Sequence, residues 1–170
     1  MRGTHTRAVE LPFRWPSPPL RVALVHPQIP PNTGNISRLC AATGSELHLV
    51  QPLGFRITDA DVRRAGLDYW DSVRLTVHDD LPAFERACLG GRFHLFSTGG
   101  TRSLYDTDFQ PGDTLVFGSE TEGLPQDLLD RHPDRIVGIP ILTAHVRSLN
   151  LSTSAGIALY EALRQIDCRA

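Results

Sequence analysis

The sequence predicts an α/β fold: an open parallel sheet covered by helices on both faces. Three observations carry that prediction. Short continuous apolar runs, the first at residues 22–25, read as strands buried on both faces. Apolar residues at helical spacing lie between such runs, as at Ile36, Leu39, Cys40 and Thr43. From Arg21 onward the two patterns alternate, as they do where parallel strands are joined by crossover helices.

Residues 1–20 stand apart from that alternation. Pro12, Pro16, Pro18 and Pro19, with Phe13 and Trp15 among them, leave the segment short of the backbone donors that ladders and helices need. It is expected to be a poorly ordered extension, leaving residues 21–170 as the single domain; docking of the aromatic pair on the body is the alternative. The strand at 22–25 leads through Pro30-Pro31-Asn32-Thr33-Gly34 into the first helix, which Gly44 can close. Strands follow at 47–50 and 73–77, with a short helical pattern at 59–65 between them. A helix around 82–88 precedes a strand at 93–97, and further strands are read at 114–117 and 135–139. Ala155, Ala158, Leu159, Ala162, Leu163 and Ile166 then line one face of a C-terminal helix.

Composition narrows the function classes. A chain of 170 residues, 41% hydrophobic and 21% charged, suits one globular domain, and no internal repeat is read. No apolar run approaches the roughly 18 residues of a membrane span. The N-terminus lacks the basic start, apolar stretch and cleavage site of a signal peptide, so a cytoplasmic protein without a membrane partner is expected. Cys40, Cys88 and Cys168 are far apart and the seven histidines are scattered, so no metal is expected. Cys40 falls in an apolar stripe, as a small buried hydrophobe would. The net charge of −2 counts mildly against RNA, whose binders are often strongly basic, although a local patch can hold a folded RNA.

Ligands of open parallel sheets gather outside the carboxyl ends of the strands. The chemistry is therefore sought in three post-strand segments: residues 32–38, 117–125 and 139–152. The first lacks G-x-G-x-x-G, and the glycines of the second are followed by Leu124-Pro125 rather than Lys-Ser/Thr. No G-x-S-x-G elbow occurs either, so dinucleotide, ATP and serine-hydrolase readings find no support.

In the first segment Asn32 and Thr33 can cap the helix. Arg38 leaves that helix away from the buried stripe, roughly one and a half turns from an anion-favouring N-terminus. A solvated surface arginine is the even alternative. In the second, Gly118 would admit a flat ligand, Glu120 puts a carboxylate at a strand end, and Gly123 with Pro125 shapes the entry into a helix. A capping acid in an ordinary turn is the alternative there. In the third, Asn150 and Ser152 can each cap the C-terminal helix, yet one cap suffices. The apolar wall Ile139, Pro140, Ile141 and Leu142, ending in polar residues, suits an adenosine-like ligand.

Together these segments resemble the three motifs of the SPOUT methyltransferases, and most of all the TrmL (YibK) group, which methylates the wobble ribose of tRNA. The resemblance rests on His26-Pro-Gln-Ile-Pro-Pro-Asn-Thr-Gly-Asn-Ile-Ser-Arg-Leu-Cys40, on Arg64-Ala-Gly-Leu-Asp-Tyr69 and on Arg147-Ser-Leu-Asn-Leu-Ser152, and spans about residues 21–166. It implies a C-terminal trefoil knot, tRNA as partner, a homodimer, and S-adenosylmethionine as methyl donor with S-adenosylhomocysteine as product. Carried to matching positions, the cofactor pocket would use Phe96, Ser97, Thr98, Gly118, Ile139, Ser148 and Leu149. The catalytic set would be Asn32, Arg38, Glu120, Ser148 and Asn150, with Arg38 and Tyr160 toward RNA. The implied reaction is methyl transfer to the 2′-hydroxyl of cytidine or uridine 34. Arg38 would orient the target ribose or its phosphate and help the hydroxyl proton leave, with Asn32, Glu120 and Asn150 holding the register. The loop Gly99-Gly100-Thr101-Arg102 departs from relatives that carry a lysine there. Another tRNA or ribosomal RNA ribose as target, and a knotted RNA-binding module without activity, stay open as rival readings. A nucleotide-binding regulator is the third, disfavoured by the missing phosphate loop.

Overall fold

A computed structural model describes residues 11–57, 72–88, 91–143 and 145–169. The expected helix at 59–65 and the segment from Arg64 to Tyr69 lie outside the described residues, as do residues 1–10.

The described strands are β1 (Arg21–Val25), β2 (Glu46–Val50), β3 (Arg74–His78), β4 (Phe93–Phe96), β5 (Arg102–Ser103), β6 (Thr114–Phe117) and β7 (Ile136–Gly138). They form one seven-stranded sheet in the order β3-β2-β1-β6-β4-β7-β5, parallel at every neighbouring pair. The helices are α1 (Pro30–Thr43), α2 (Leu81–Cys88), α3 (Gln126–Arg131) and α4 (Leu151–Arg169).

Strand side chains alternate between the faces, and each face has its own core. Val22, Leu24, Leu115 and Phe117 join Ile36 and Cys40 of α1 and Ala155, Ala158, Leu159, Ala162 and Leu163 of α4 in the larger cluster. Ala23, Val25 and Val116 point the other way, to Leu81, Phe84 and Cys88 of α2 and Leu128 of α3. Both faces are therefore covered, as the unbroken apolar runs predict.

Three details differ from the sequence reading. β5 is a two-residue strand beyond β7, too short to carry a period. The last strand is shorter than 135–139 because Pro133–Arg135 form a turn of 3-10 helix before it. Helix α1 starts at Pro30, so Asn32 and Thr33 lie inside its first turn and do not cap it. Proline is well placed there, since the first turn leaves its N–H groups without intrahelical acceptors anyway. Gly44 closes the helix as expected, at φ 67°.

The segment before β1 runs against the body. Leu20 is fully buried and Phe13 packs on the larger core cluster, its ring 4.6 Å from that of Trp15. The Arg14 N–H donates to Asp167 Oδ1 near the end of α4 at 2.9 Å.

Candidate active site

β1 and β6 are neighbours, so the loops that follow them leave the same edge of the sheet side by side. β1 is followed by His26, which takes φ 53° to turn the chain sharply toward α1. After β6, Ser119 and Gly123 exchange both backbone hydrogen bonds at 3.0 Å, closing a tight loop with Glu120, Thr121 and Glu122 at its tip. Gly118 is obligatory beneath it: a Cβ there would stand 1.9 Å from the carbonyl carbon of Gly123. The side on which a Cβ would project is thus filled by the chain itself.

Glu120 reaches across to the start of α1. Its carboxylate accepts from the Gln28 N–H at 2.8 Å, the Ile29 N–H at 3.2 Å and Asn32 Nδ2 at 3.0 Å. Ile29 offers α1 no side-chain cap, so Glu120 caps the helix from a distant part of the chain and sets its negative charge at the positive end of the dipole. Asn32 Oδ1 then accepts from Asn150 Nδ2 at 2.9 Å. Asn150 Oδ1 in turn accepts from the Ser152 N–H at 2.9 Å and the Thr153 N–H at 3.2 Å, capping α4. The direction of every bond is forced. A carboxylate only accepts and a helix N-terminus only donates, so both asparagine amides between them have one permitted orientation.

Three members of the expected catalytic set, one from each post-strand segment, therefore form a single hydrogen-bonded chain. Arg38 is exposed on α1, six residues beyond Asn32 and so about 9 Å further along the helix axis. Ser148 is exposed and Leu149 half-buried, immediately before Asn150. Tyr160 is 54% exposed on α4.

Of the residues expected around a cofactor, Phe96, Ser97, Thr98, Gly118 and Ile139 lie at the ends of three adjacent strands, β6, β4 and β7, while Ser148 and Leu149 precede α4. Phe96 closes β4 and stacks on Phe117, with centroids 4.7 Å apart. Ser97 donates its N–H to Val137 O at 3.0 Å, and Thr98 beyond it is exposed. Gly118 and Ile139 directly follow β6 and β7. Ile139 and Leu149 are part-exposed and Thr98 and Ser148 exposed, the apolar and polar kinds of side chain that an adenosine with a charged tail needs.

Gln28, Thr121 and Gly100 escape sequence reasoning. Thr121 Oγ1 donates to Gln28 Oε1 at 2.7 Å, a contact between loops 93 residues apart. A Cβ on Gly100 would meet the Gly138 nitrogen at 2.4 Å, so the loop after β4 lies directly on β7. Only the strand order brings these pairs together. Among the described residues no group of three or more histidine, cysteine or acidic side chains could hold a metal ion. No described helix is long and apolar enough to cross a membrane.

An all-parallel sheet with polar residues of three post-strand loops interlocked at its carboxyl edge defines an α/β protein of the class whose ligands gather at that edge. Residues 19–160 match the SpoU rRNA methylase family, and the chain belongs to it. The tRNA (cytidine(34)-2′-O)-methyltransferase of Burkholderia ambifaria is 50% identical over 147 residues, which cover 85% of this chain and 94% of that one. A solved structure concerned with 2-OH methylation of C/U34 on tRNA superposes with a TM-score of 0.81 at 46% identity, covering 86% of this chain and 95% of the other. The AdoMet-bound rRNA methyltransferase of Sinorhizobium meliloti gives a TM-score of 0.75 at 26% identity, over 85% of this chain and 56% of that one.

Proposed function

We propose that the protein transfers a methyl group from S-adenosylmethionine to the ribose 2′-hydroxyl of nucleotide 34, cytidine or uridine, of tRNA. The observation that carries the reading is the interlock of Glu120, Asn32 and Asn150, which draws the three motif segments into one place. The 50% identity to an enzyme named for this reaction supports the choice of substrate.

Phe96, Ser97, Thr98, Gly118, Ile139, Ser148 and Leu149 hold the cofactor in this reading. When bound, S-adenosylmethionine supplies a methyl group activated by its sulfonium. What the chain adds is position and charge. Asn32 and Glu120 fix the first turn of α1, and with it the line along which Arg38 is presented. The Arg38 guanidinium offers a fixed positive charge and a fork of donors. It binds the phosphate beside the target ribose and favours loss of the hydroxyl proton, a contribution of orientation more than of basicity. Tyr160 faces the RNA in the same reading. The trefoil knot belongs to it too, as membership of the family implies. So do a homodimer, a cytoplasmic location, and a catalytic unit at 21–170 with residues 1–20 as an extension.

The test is transfer of labelled methyl to purified tRNA, followed by nuclease mapping of the labelled nucleotide. Label at ribose 34 is expected. Arg38→Ala is expected to lower transfer about 100-fold or more while calorimetry finds cofactor affinity within about threefold. Lost cofactor binding in that variant would contradict the role given to Arg38.

A further inference from the structure

Glu120 and Thr121 are consecutive, and both grip Gln28. The Glu120 carboxylate accepts from the Gln28 backbone N–H at 2.8 Å, while Thr121 Oγ1 donates to the Gln28 side-chain Oε1 at 2.7 Å. A third segment closes on the same residue from behind. The Gly54 N–H donates to Pro27 O at 2.9 Å, and a Cβ on Gly54 would stand 2.7 Å from the Gln28 Cα. Gln28 is thus held by the loops after β2 and β6 just before α1 begins.

Pro30 and Pro31 bring no N–H to that helix start, and Ile29 brings no capping side chain. Besides Asn32's own bond to Glu120, the placement of the first turn rests on bonds made by Gln28 and Ile29 to the 119–123 loop. One of those bonds, from Thr121 to Gln28, uses side chains alone and is exposed on both sides. An exposed pair outside the core has little to do with global stability. It has a direct hold on how α1 sits against Glu120.

We propose that Gln28 and Thr121 are positioning residues for the methyl transfer: their side chains clasp the loop after β1 to the loop after β6 and hold Asn32 and the arginine-bearing turn of α1 in register. The proposal rests on the methyltransferase reading above for its catalytic consequence, and on hydrogen-bond geometry alone for the clasp.

Thr121→Val removes the donor at nearly constant shape, Gln28→Met removes the acceptor, and Thr121→Ser keeps the hydroxyl. Val and Met are each expected to lower kcat about tenfold, with tRNA KM and cofactor Kd little changed, since a small misplacement acts on the chemical step. The double variant is expected to lose no more than either single one, as two ends of one bond should. The serine variant is expected to stay within about twofold of the parent. Amide hydrogen exchange on the same proteins reads the clasp without any activity: the Gln28 and Ile29 amides are expected to exchange about tenfold faster in the Val and Met variants. Unchanged exchange overturns the clasp. Faster exchange with unchanged kcat, or additive losses in the double variant, overturns the positioning role. A parent protein that methylates no tRNA overturns the functional reading instead, and the exchange data still decide the clasp.

Discussion

Asn32 illustrates how much one side chain carries. Its Nδ2 donates to Glu120 and its Oδ1 accepts from Asn150, so both ends of the amide are committed. Asn32→Asp keeps the shape, removes the donor and sets a second carboxylate at hydrogen-bond distance from Glu120. Loss of a charge-assisted bond at a site 6% exposed costs about 1–3 kcal/mol. The variant is expected to lose methyl transfer by at least tenfold and to melt several degrees lower by calorimetry; parent-like values for both would show that the interlock is ornamental. Sequence alone marks Asn32, Glu120 and Asn150 as polar residues at strand ends. It does not pair them, because the pairs are 88 and 118 residues apart and depend on which strands are neighbours. Gly118 shows the complementary gap. The need for a glycine is legible, whereas the backbone that fills the space beside it is not. Burial alone sets the character of Cys40, whose thiol is pushed up to about 12, in keeping with its place in the apolar stripe of α1.

Among the elements, β1, β2 and β6 are legible nearly to the residue because both their faces are buried, whereas β3, exposed along most of its length, is found one residue later than the 73–77 read for it. The start of α1 is less legible, since its cap lies in another segment. β2 and β3 also share a feature that composition hides. His48 Nδ1 and His78 Nε2 are 2.9 Å apart on the α2 face, their rings stacked beside Phe84. Burial, reinforced by His78 and Arg21 against an opposing pull from Glu46, holds His48 down at about 4 from an ordinary 6.5, and burial lowers His78 as well. A histidine with a depressed folded pKa binds its proton more readily in the unfolded chain. The pair therefore contributes stability that is complete above about pH 6.5 and drains away as the pH falls toward 4. Thermal midpoints measured from pH 7 to 4 are expected to fall more steeply for the parent than for His48→Asn, in which one titrating ring is gone. Equal slopes would contradict this account of the β2–β3 edge.

For the whole molecule, what matters is that an all-parallel order sets the ends of β1, β6, β4 and β7 in a row and gathers loops from both halves of the chain. The two cores on opposite faces keep that row rigid, and the helices α1 and α4 aim their N-termini into it, joined through Asn32 and Asn150. The alternation of strands and helices makes this architecture readable from the sequence, and the motif resemblance points to the chemistry. The strand order, which decides who meets whom, has no signature in periodicity. The sequence has no lysine and seventeen arginines, so the permanently charged side chains available to an RNA phosphate are all guanidinium forks. In the proposed reaction the acceptor of the methyl group is one ribose oxygen. This is tested most directly with two tRNAs identical except for a 2′-deoxyribose at nucleotide 34, offered with labelled S-adenosylmethionine. Label is expected on the all-ribose tRNA and none on its deoxy counterpart; equal labelling of the two would contradict the account.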